Sequence, residues 1–225
     1  MSVKTYSLKK DGETKLSPHF KVCEFRCKDG TDKILIESGL IEYLEKVYAH
    51  FNCSKINITS GYRTSKHDKA VGGRGAGSHV KGKAVDFVAY DKNGYAIPSK
   101  EVALYLEDLG VRGIGYRCGG STNATHMDIN YRTRKWYGDE KKSMTASIGA
   151  TFYRYLGVKW AKKYVTVDAL RLRSDIGLGA KVKATVGWKT ILEVANTTVI
   201  PLDGYQWVRV RYKGNIYWVA KEYLR

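Results

Sequence analysis

The chain has 225 residues, 43% of them hydrophobic, and its 39 Lys+Arg against 22 Asp+Glu give a formal net charge of +17. This composition supports a buried core and excludes a chain that is disordered as a whole. No apolar run approaches the roughly 20 residues of a membrane helix, and the polar, lysine-bearing segment 1–17 predicts no secretory signal. The charge predicts a polyanionic partner, for which nucleic acid is the first candidate.

The positive charge is concentrated toward the C-terminus. Residues 151–225 carry 14 Lys+Arg against 5 Asp+Glu, whereas residues 1–150 carry 25 against 17. The last third is therefore about twice as basic per residue, which predicts two domains with different roles. No block of five or six like charges occurs, so the basic region is not a charged tail.

The first half of the chain mixes helical and strand patterns. Apolar residues at helical spacing follow Ser38 as far as Phe51 and predict a helix. Further helices are predicted over 64–71 and over 99–109, the latter closed by Gly110. Short strands are predicted at 56–59, 84–89 and 125–129.

From about residue 164 the pattern changes to short strands separated by turns, with Asp203-Gly204 and Lys213-Gly214 as hairpin signals. The predicted strands are 165–167, 170–173, 181–186, 191–194, 207–212 and 215–219. About sixty residues of this kind predict a small all-β barrel. We expect an α+β domain over 1–140, a joint over 141–163 and an all-β domain over 164–225.

The cysteines are a weaker signal. Cys23 and Cys27, with His19 before them, have the residue types of a metal site, but no second Cys or His pair follows. Reduced, buried thiols are the preferred interpretation of these two residues, as they are of Cys53 and Cys118.

Two histidines and one aspartate form the most specific pattern. His79 shortly precedes Asp86, and His126 lies on the third predicted strand. Asp86 stands in an apolar run, where a lone carboxylate carries a large desolvation cost that a divalent cation removes. Two imidazoles and one carboxylate, with a fourth position open, are the ligands of a catalytic zinc. The expected reaction is attack of water on an amide without a covalent intermediate.

Three further residues are candidates for this site. Asp128, two residues after His126 on a strand, shares its face and is a candidate general base or support for a ligand. Arg63 is a candidate to bind a substrate carboxylate or an oxyanion. Tyr62 is a candidate substrate contact, with core packing as the equal alternative. Gly82 permits a tight turn between His79 and Asp86.

The motifs Ser60-Gly-Tyr-Arg63, Ser78-His-x-x-Gly-x-Ala-x-Asp86 and His126-x-Asp128 resemble those of the zinc peptidases of peptidoglycan, the D-Ala-D-Ala carboxypeptidase and L-alanyl-D-glutamate endopeptidase family. The resemblance covers about residues 14–138. It implies a hedgehog/DD-peptidase-like α+β fold, zinc ligands at the three residues named above, and a functional Arg63. Several branches have a catalytic Asp where this chain has Asn123, which cannot act as a base. Asp128 therefore remains either a base or a supporting residue.

The C-terminal region resembles a bacterial SH3-type cell-wall-binding domain. The resemblance lies in Leu170-Arg-Leu-Arg-Ser174 and in the segment from Trp207 to Val219. Two departures are Asp175-Ile176 in place of a Gly-Pro and Tyr217 in place of a Gly. They affect a loop and a turn rather than the fold.

Together these resemblances predict a zinc peptidoglycan peptidase carrying an SH3-like barrel that binds the cell wall, so the polyanionic partner is the wall and not nucleic acid. Without a signal segment, the expected role is that of a phage or prophage endolysin, made in the host cytoplasm and released onto the wall. The alternatives are a D-Ala-D-Ala carboxypeptidase, a non-catalytic wall-binding phage protein, and a nucleic-acid-binding protein, the last favoured by charge alone. A Cys118–His126 nucleophile pair is conceivable, but a zinc site accounts for more residues.

Overall fold

The computed structural model describes residues 2–118, 123–131, 135–139, 143–146 and 151–225, with the backbone alone at Met144 and Ala146. The chain divides into two compact units, Met1–Phe152 and Tyr153–Arg225, called here the N-terminal and C-terminal units. This division lies within the predicted joint over 141–163, of which 141, 142 and 147–150 lie outside the described residues.

The N-terminal unit mixes helices and strands. Its strands are β1 (Val3–Ser7), β2 (Lys33–Glu37), β3 (Lys55–Ser60), β4 (Ala84–Tyr90), β5 (Gly113–Tyr116), β6 (Thr125–Asp128), β7 (Lys135–Gly138) and β8 (Ser143–Ala146). Its helices are α1 (Leu8–Asp11), α2 (Ser38–His50), α3 (Ser65–Ala70) and α4 (Ser99–Asp108), while α5 (Phe152–Tyr155) spans the division. Strand β1 pairs with β2, and the other six strands form one sheet in the order β3-β4-β6-β5-β7-β8.

The core of this unit lies between the sheet and two helices. The predicted apolar stripe of α2 is buried, with Leu40, Leu44 and Val47 each at most 1% exposed. Helices α2 and α4 pack on the strands that carry the fully buried side chains Val85, Phe87 and Met127. The remaining face of the same strands is free to carry polar side chains, because neighbours along a strand point to opposite faces.

The turn that leads into β4 depends on Gly82. Its φ is +66°, and a Cβ atom there would lie 2.6 Å from the backbone of Leu35. The amide of Gly82 donates to His79 O (3.1 Å), and that of Lys83 donates to Ser78 O (2.8 Å). This turn folds His79 back beside the strand that contains Asp86.

The C-terminal unit is built on strands β9 (Trp160–Tyr164), β10 (Leu170–Arg173), β11 (Val182–Val186), β12 (Ile191–Ala195), β13 (Ile200–Leu202), β14 (Tyr205–Tyr212) and β15 (Asn215–Ala220), followed by a 3-10 turn at Lys221–Tyr223. Their order is β11-β10-β15-β14-β12-β9, with β13 also paired to β14. In the described residues no pairing joins β11 to β9, so the expected barrel is not closed by hydrogen bonds. Leu172, Leu192, Val210 and Val219 form the centre of its apolar core.

One predicted strand is wrong. Residues 165–167 form only an isolated bridge from Val165 to Leu224, and the strand of this region is β9, five residues earlier. Lys162, Lys163 and Tyr164 of β9 are exposed, so this edge strand has no apolar alternation to identify it. Val165 is fully buried because it packs in the core of the unit.

The described helices are all too short or too polar to cross a membrane.

Candidate active site

Two of the three candidate metal ligands lie in one row of residues across the sheet. In the register of the sheet, Ser60 on β3 lies opposite Asp86 on β4, which lies opposite His126 on β6. Side chains in such a row share one face of the sheet. The Nδ1 atom of His126 is 2.7 Å from Asp86 Oδ1.

His79 reaches the same carboxylate from the turn before β4. Its Nε2 atom is 3.4 Å from Asp86 Oδ2. One ligand atom from each of His79, Asp86 and His126 can be chosen so that all three lie within 4.8 Å of one another. The side chains that the sequence predicts as ligands therefore converge, although they come from a turn and two strands.

The orientation of His79 is set on its other ring nitrogen. The Nδ1–H group donates to Gly61 O (2.8 Å), and the backbone amide of Arg63 donates to His79 O (3.3 Å). Gly61 O therefore holds a proton on Nδ1, and this contact aims Nε2 at Asp86. A backbone carbonyl that accepts from the remote nitrogen is the usual support for a metal-binding histidine.

Arg63 makes three hydrogen bonds to protein acceptors. Its Nε donates to Ser60 Oγ (2.8 Å), its Nη1 to Asp68 Oδ1 (3.3 Å) and its Nη2 to Asp86 Oδ2 (2.9 Å). These contacts use three of the five N–H groups of a guanidinium. Arg63 thus lies beside the metal-ligand group, where it orients Asp86; its binding of substrate stays a prediction.

Asp68 is a site residue that the sequence patterns do not reveal. It is 4% exposed, and its carboxylate accepts from Arg63 and from the amide of Gly75 (2.9 Å), while its carbonyl accepts from the amide of Gly73 (2.7 Å). Asp68 therefore links the arginine to the glycine loop over 72–77. The sequence showed only that an acidic residue lies on a short helix shortly after Arg63. Such an arrangement is too common to identify a site residue.

Glycines beside His126 leave space for the aromatic ring of Trp136. Gly115 lies opposite His126, and a Cβ atom there would lie 3.1 Å from His126 Cβ and 2.8 Å from Cys118 Sγ. Trp136 packs edge-on against the imidazole of His126, with ring centroids 5.1 Å apart. A Cβ atom at Gly138 would lie 2.7 Å from the Trp136 ring. Small residues in this row thus allow the ring of Trp136 to cover one side of His126.

Asp128 and Tyr62 lie near these residues but are largely buried. Asp128 is 4% exposed and its Oδ1 accepts from the amide of Asn130 (2.7 Å), so its orientation is defined. Tyr62 is 8% exposed, and its amide donates to Phe25 O (2.9 Å). Asn123 lies in the turn before β6. The predicted roles of Asp128 as a base and of Tyr62 as a substrate contact stay predictions.

The electrostatics of the ligand group favour a charged carboxylate. Burial by itself raises the pKa of Asp86, but hydrogen bonds and charge interactions with His126 and His79 outweigh burial and lower the pKa. For His126, burial is the largest single influence and lowers the pKa, but the hydrogen bond to Asp86 together with the charges of Asp86 and Asp128 outweighs it, so the net pKa is raised. Asp86 is therefore a charged carboxylate that two imidazoles face, and a bound cation would replace the proton that this pairing favours on His126.

The cysteine alternatives gain no support. Burial and the charge of Asp86 raise the pKa of Cys118 to about 12, so it is a neutral thiol at pH 7 and a poor nucleophile. All four cysteines are free. Cys23, Cys27 and His19 do not form a ligand group, since the group of His79, Asp86 and His126 is the one found across the described residues.

The donor set fits zinc. Two imidazoles and one carboxylate in a partly buried site, with a coordination position left for a water or a substrate, are typical of catalytic rather than structural zinc. A zinc held in this way can activate a water for hydrolysis, so the donor set suits a metal-dependent hydrolase.

Comparison with known proteins assigns the family. A sequence profile described as Peptidase M15 matches residues 15–128, about half of the chain, and the chain belongs to this family. Membership implies a zinc-dependent metallopeptidase whose activity is related to peptidoglycan, and it confirms the family predicted from the motifs. Neither the curated proteins nor the solved structures include a match to the chain.

Proposed function

We propose that the protein hydrolyses an amide bond in the stem peptides or crosslinks of peptidoglycan, with zinc held by His79, Asp86 and His126. The observation that carries this proposal is the convergence of these three side chains within 4.8 Å in a chain of the M15 family. The ligand atoms would be Nε2 of His79, a carboxylate oxygen of Asp86 and Nδ1 of His126, since these atoms face one another.

Zinc supplies Lewis-acid chemistry at such a site, because it lowers the pKa of a water and polarises a carbonyl. The protein residues prepare the site for that chemistry. Gly61 O keeps the proton of His79 on Nδ1, and Arg63 holds Asp86 by a charge-assisted hydrogen bond. Both contacts reduce the reorganisation that binding a cation requires.

Asp128 is the candidate to accept a proton from the attacking water. It lies two residues after His126 on β6, so both side chains leave the strand on the same face. Its orientation by the amide of Asn130 also suits the other role, in which its charge supports His126. A pH–rate profile of Asp128→Asn distinguishes the two, since loss of a base removes the acidic limb and loss of support does not.

The C-terminal unit is proposed to be an SH3-type domain that binds the bacterial wall. Its excess of basic residues suits wall carboxylates and phosphates better than it suits nucleic acid, for which no recognition motif is present in the sequence. Binding to a polyanionic wall would concentrate the peptidase on its substrate.

The proposed biological role is lysis, as a phage or prophage endolysin. Addition of purified protein to cell-wall suspensions should reduce turbidity, and expression together with a membrane-permeabilising protein should lyse the host. The second candidate activity, removal of terminal D-Ala by a carboxypeptidase, would leave turbidity unchanged.

The decisive experiment combines metal analysis with product analysis. The purified protein should contain about one zinc per chain, lose activity on chelation and regain it with added zinc. Mass spectrometry of digested muropeptides should reveal a new amino terminus within the stem or an opened crosslink, whereas release of D-Ala alone would select the carboxypeptidase.

The matched variants are His79→Ala and His19→Ala. His19 contacts Glu45 and Tyr48 and takes no part in the ligand group, so its variant should keep zinc and activity. A folded His79→Ala protein with full activity and no zinc requirement would overturn the proposed mechanism. A wild-type protein that binds walls without cutting them would support the non-catalytic alternative.

A further inference from the structure

The C-terminal unit contains a groove of about 310 Å³ whose lining includes none of the metal-ligand residues. It lies among the start of β10, strand β14 and the 3-10 turn at Lys221–Tyr223. Its lining includes Arg171, Arg173, Leu178, Tyr205, Trp207 and Tyr223, and we call it the aromatic groove. Its volume falls at the lower end of the range for small-ligand pockets.

The floor of the aromatic groove is held in place by internal hydrogen bonds. Trp207 is 2% exposed, and its Nε1–H group donates to Leu202 O (2.9 Å). Arg173 is 5% exposed, and its Nη1 donates to Leu178 O (2.8 Å) and Ala180 O (2.7 Å). Its guanidinium carbon is 5.9 Å from the centre of the Trp207 ring. A pre-formed wall of this kind lowers the entropic cost of binding a ligand.

The lining carries positive charge and no carboxylate. Arg171 is exposed and Arg173 is buried, and both line the groove. Of the acids on adjoining segments, Asp203 accepts from Leu178 N (2.7 Å) and Glu222 accepts from Gln206 N (2.8 Å), while Asp168 is exposed and is not part of the lining. The groove therefore complements an anionic ligand.

The apolar part of the lining suits small alkyl groups. Val167, Ala169 and Ala220 supply small side chains, and Leu178 is 52% exposed at the rim. Tyr205 packs against Tyr223, with ring centroids 6.2 Å apart, and against Trp207 at the same distance. These contacts between rings cover part of the ring surface. Methyl-sized side chains fit such a surface.

We propose that the aromatic groove binds a short acidic peptide with small alkyl side chains, the chemical class to which alanine-rich, carboxylate-bearing peptidoglycan stems belong. Arg171 pairs with a ligand carboxylate, and Leu178 and the tyrosine rings contact its methyl groups. Through this groove, the C-terminal unit would recognise the peptide part of the cell wall. The choice of stem peptides as the source of the ligand rests on the proposed function.

The test measures binding by calorimetry with the full chain carrying Asp86→Asn, so that the ligand stays uncut. The probes are a synthetic stem peptide, a peptide-free glycan oligomer and a polyol-phosphate oligomer. We expect the stem peptide to bind in the aromatic groove. In the same background, Arg171→Ala and Leu178→Ser should each weaken that binding at least about tenfold, which corresponds to about 1.4 kcal/mol. Amide NMR shifts on peptide addition should cluster at residues 170–178 and 205–207.

Two exposed residues outside the lining provide matched controls. Lys183→Ala removes a charge and Trp188→Ala removes an exposed aromatic ring, and both variants should bind the peptide as the parent does. The proposal is overturned if only the glycan or the phosphate oligomer binds, or if folded Arg171→Ala and Leu178→Ser proteins bind the peptide like the parent.

The two proposals fail in different measurements. If the wild-type chain has no zinc-dependent activity, yet Arg171→Ala still weakens peptide binding, the proposed function is wrong and the groove proposal stands. If zinc-dependent cleavage is present and peptide shifts are absent from the aromatic groove, the groove proposal is wrong.

Discussion

The two units bury arginine in different ways. In the N-terminal unit, Arg63 lies between the carboxylates of Asp68 and Asp86. In the C-terminal unit, the described hydrogen bonds of Arg173 go to the backbone carbonyls of Leu178 and Ala180, and its guanidinium lies over the ring of Trp207. Both guanidinium groups donate to protein acceptors, but in the described contacts only the first is paired with acids.

This difference separates two uses of a buried charge. Carboxylate pairing around Arg63 makes a network that defines the position of Asp86, which suits a site that must hold a cation in one geometry. Carbonyl pairing at Arg173 orders the loop after β10 and leaves positive charge beside the aromatic groove. The first unit therefore fixes a carboxylate in position, and the second places a guanidinium beside the groove without a carboxylate in the lining.

The largest expected effect on the N-terminal unit comes from Asp86→Asn. This change removes the carboxylate that faces both histidines and Arg63, so we expect loss of bound zinc and a fall in kcat of more than about 100-fold, since removal of an outer partner alone costs 10–100-fold. Metal analysis and assays on a soluble stem peptide measure both effects. The exposed Glu42→Gln variant is the charge-matched control. An Asp86→Asn protein that keeps zinc and activity would exclude Asp86 as a ligand.

Arg63→Lys tests the carboxylate pairing itself. A single ammonium cannot reproduce the fork of contacts to Ser60, Asp68 and Asp86, so Asp86 loses its fixed position. We expect zinc affinity and activity to fall about 10–100-fold, as for other residues that orient metal ligands. Competition with a chelator of known affinity measures the change, and Arg26→Lys on the surface serves as control. An unchanged zinc affinity would contradict the positioning role.

Leu192→Ala tests whether the units unfold separately. Leu192 is fully buried in the C-terminal core, so its truncation should cost about 2–5 kcal/mol of unfolding free energy in that unit. Calorimetry of the full chain should show one thermal transition lowered and the other unmoved, with activity on soluble peptide retained. Exposed Val182→Ala should shift neither transition. An equal shift of both transitions would show that the units fold as one.

The smallest effect is expected at a surface pair of the C-terminal unit. Arg211 donates to both oxygens of Glu193 (2.7 and 3.1 Å), and its hydrogen bond lowers the pKa of Glu193. A carboxylate with a lowered folded-state pKa adds stability above its unfolded pKa of about 4.3. That stability is lost as the pH falls through the folded-state value.

Glu193→Gln should therefore reduce the urea midpoint slightly at pH 7 and leave it unchanged at pH 2. The exposed Asp168→Asn variant is the control for a general change in net charge. A larger effect at pH 2 than at pH 7 would contradict the sign of this linkage.

Several features of the fold follow from local patterns. The apolar spacing of α2, the glycine turn at Gly82 and the buried strand with Asp86 are encoded by neighbouring residues and were predictable. Strands β1, β2, β5, β7, β8, β9 and β13 were not predicted. Those strands are short or edge-exposed, and their conformation depends on pairing with distant partners, which local propensity does not report.

The same distinction between local sequence patterns and long-range contacts applies to the candidate site. Residue types and spacing identified His79, Asp86 and His126 as candidate ligands, because a carboxylate in apolar surroundings needs a compensating cation and two imidazoles complete the donor set of a catalytic zinc. Sequence did not identify Asp68, because its importance comes from contacts with Arg63 and the glycine loop. It also did not reveal that Arg63 binds protein acceptors.

By itself, the sequence determined the family, the mixed and all-β character of the two regions, and the chemistry of the ligand set. The tertiary structure alone decided that Ser60, Asp86 and His126 stand in one row, that Gly61 O orients His79, and that the aromatic groove is lined by arginines without acids. The physical reason is that residue type and local period are properties of neighbouring positions. Strand register and long-range hydrogen bonds are set only when distant segments pack together.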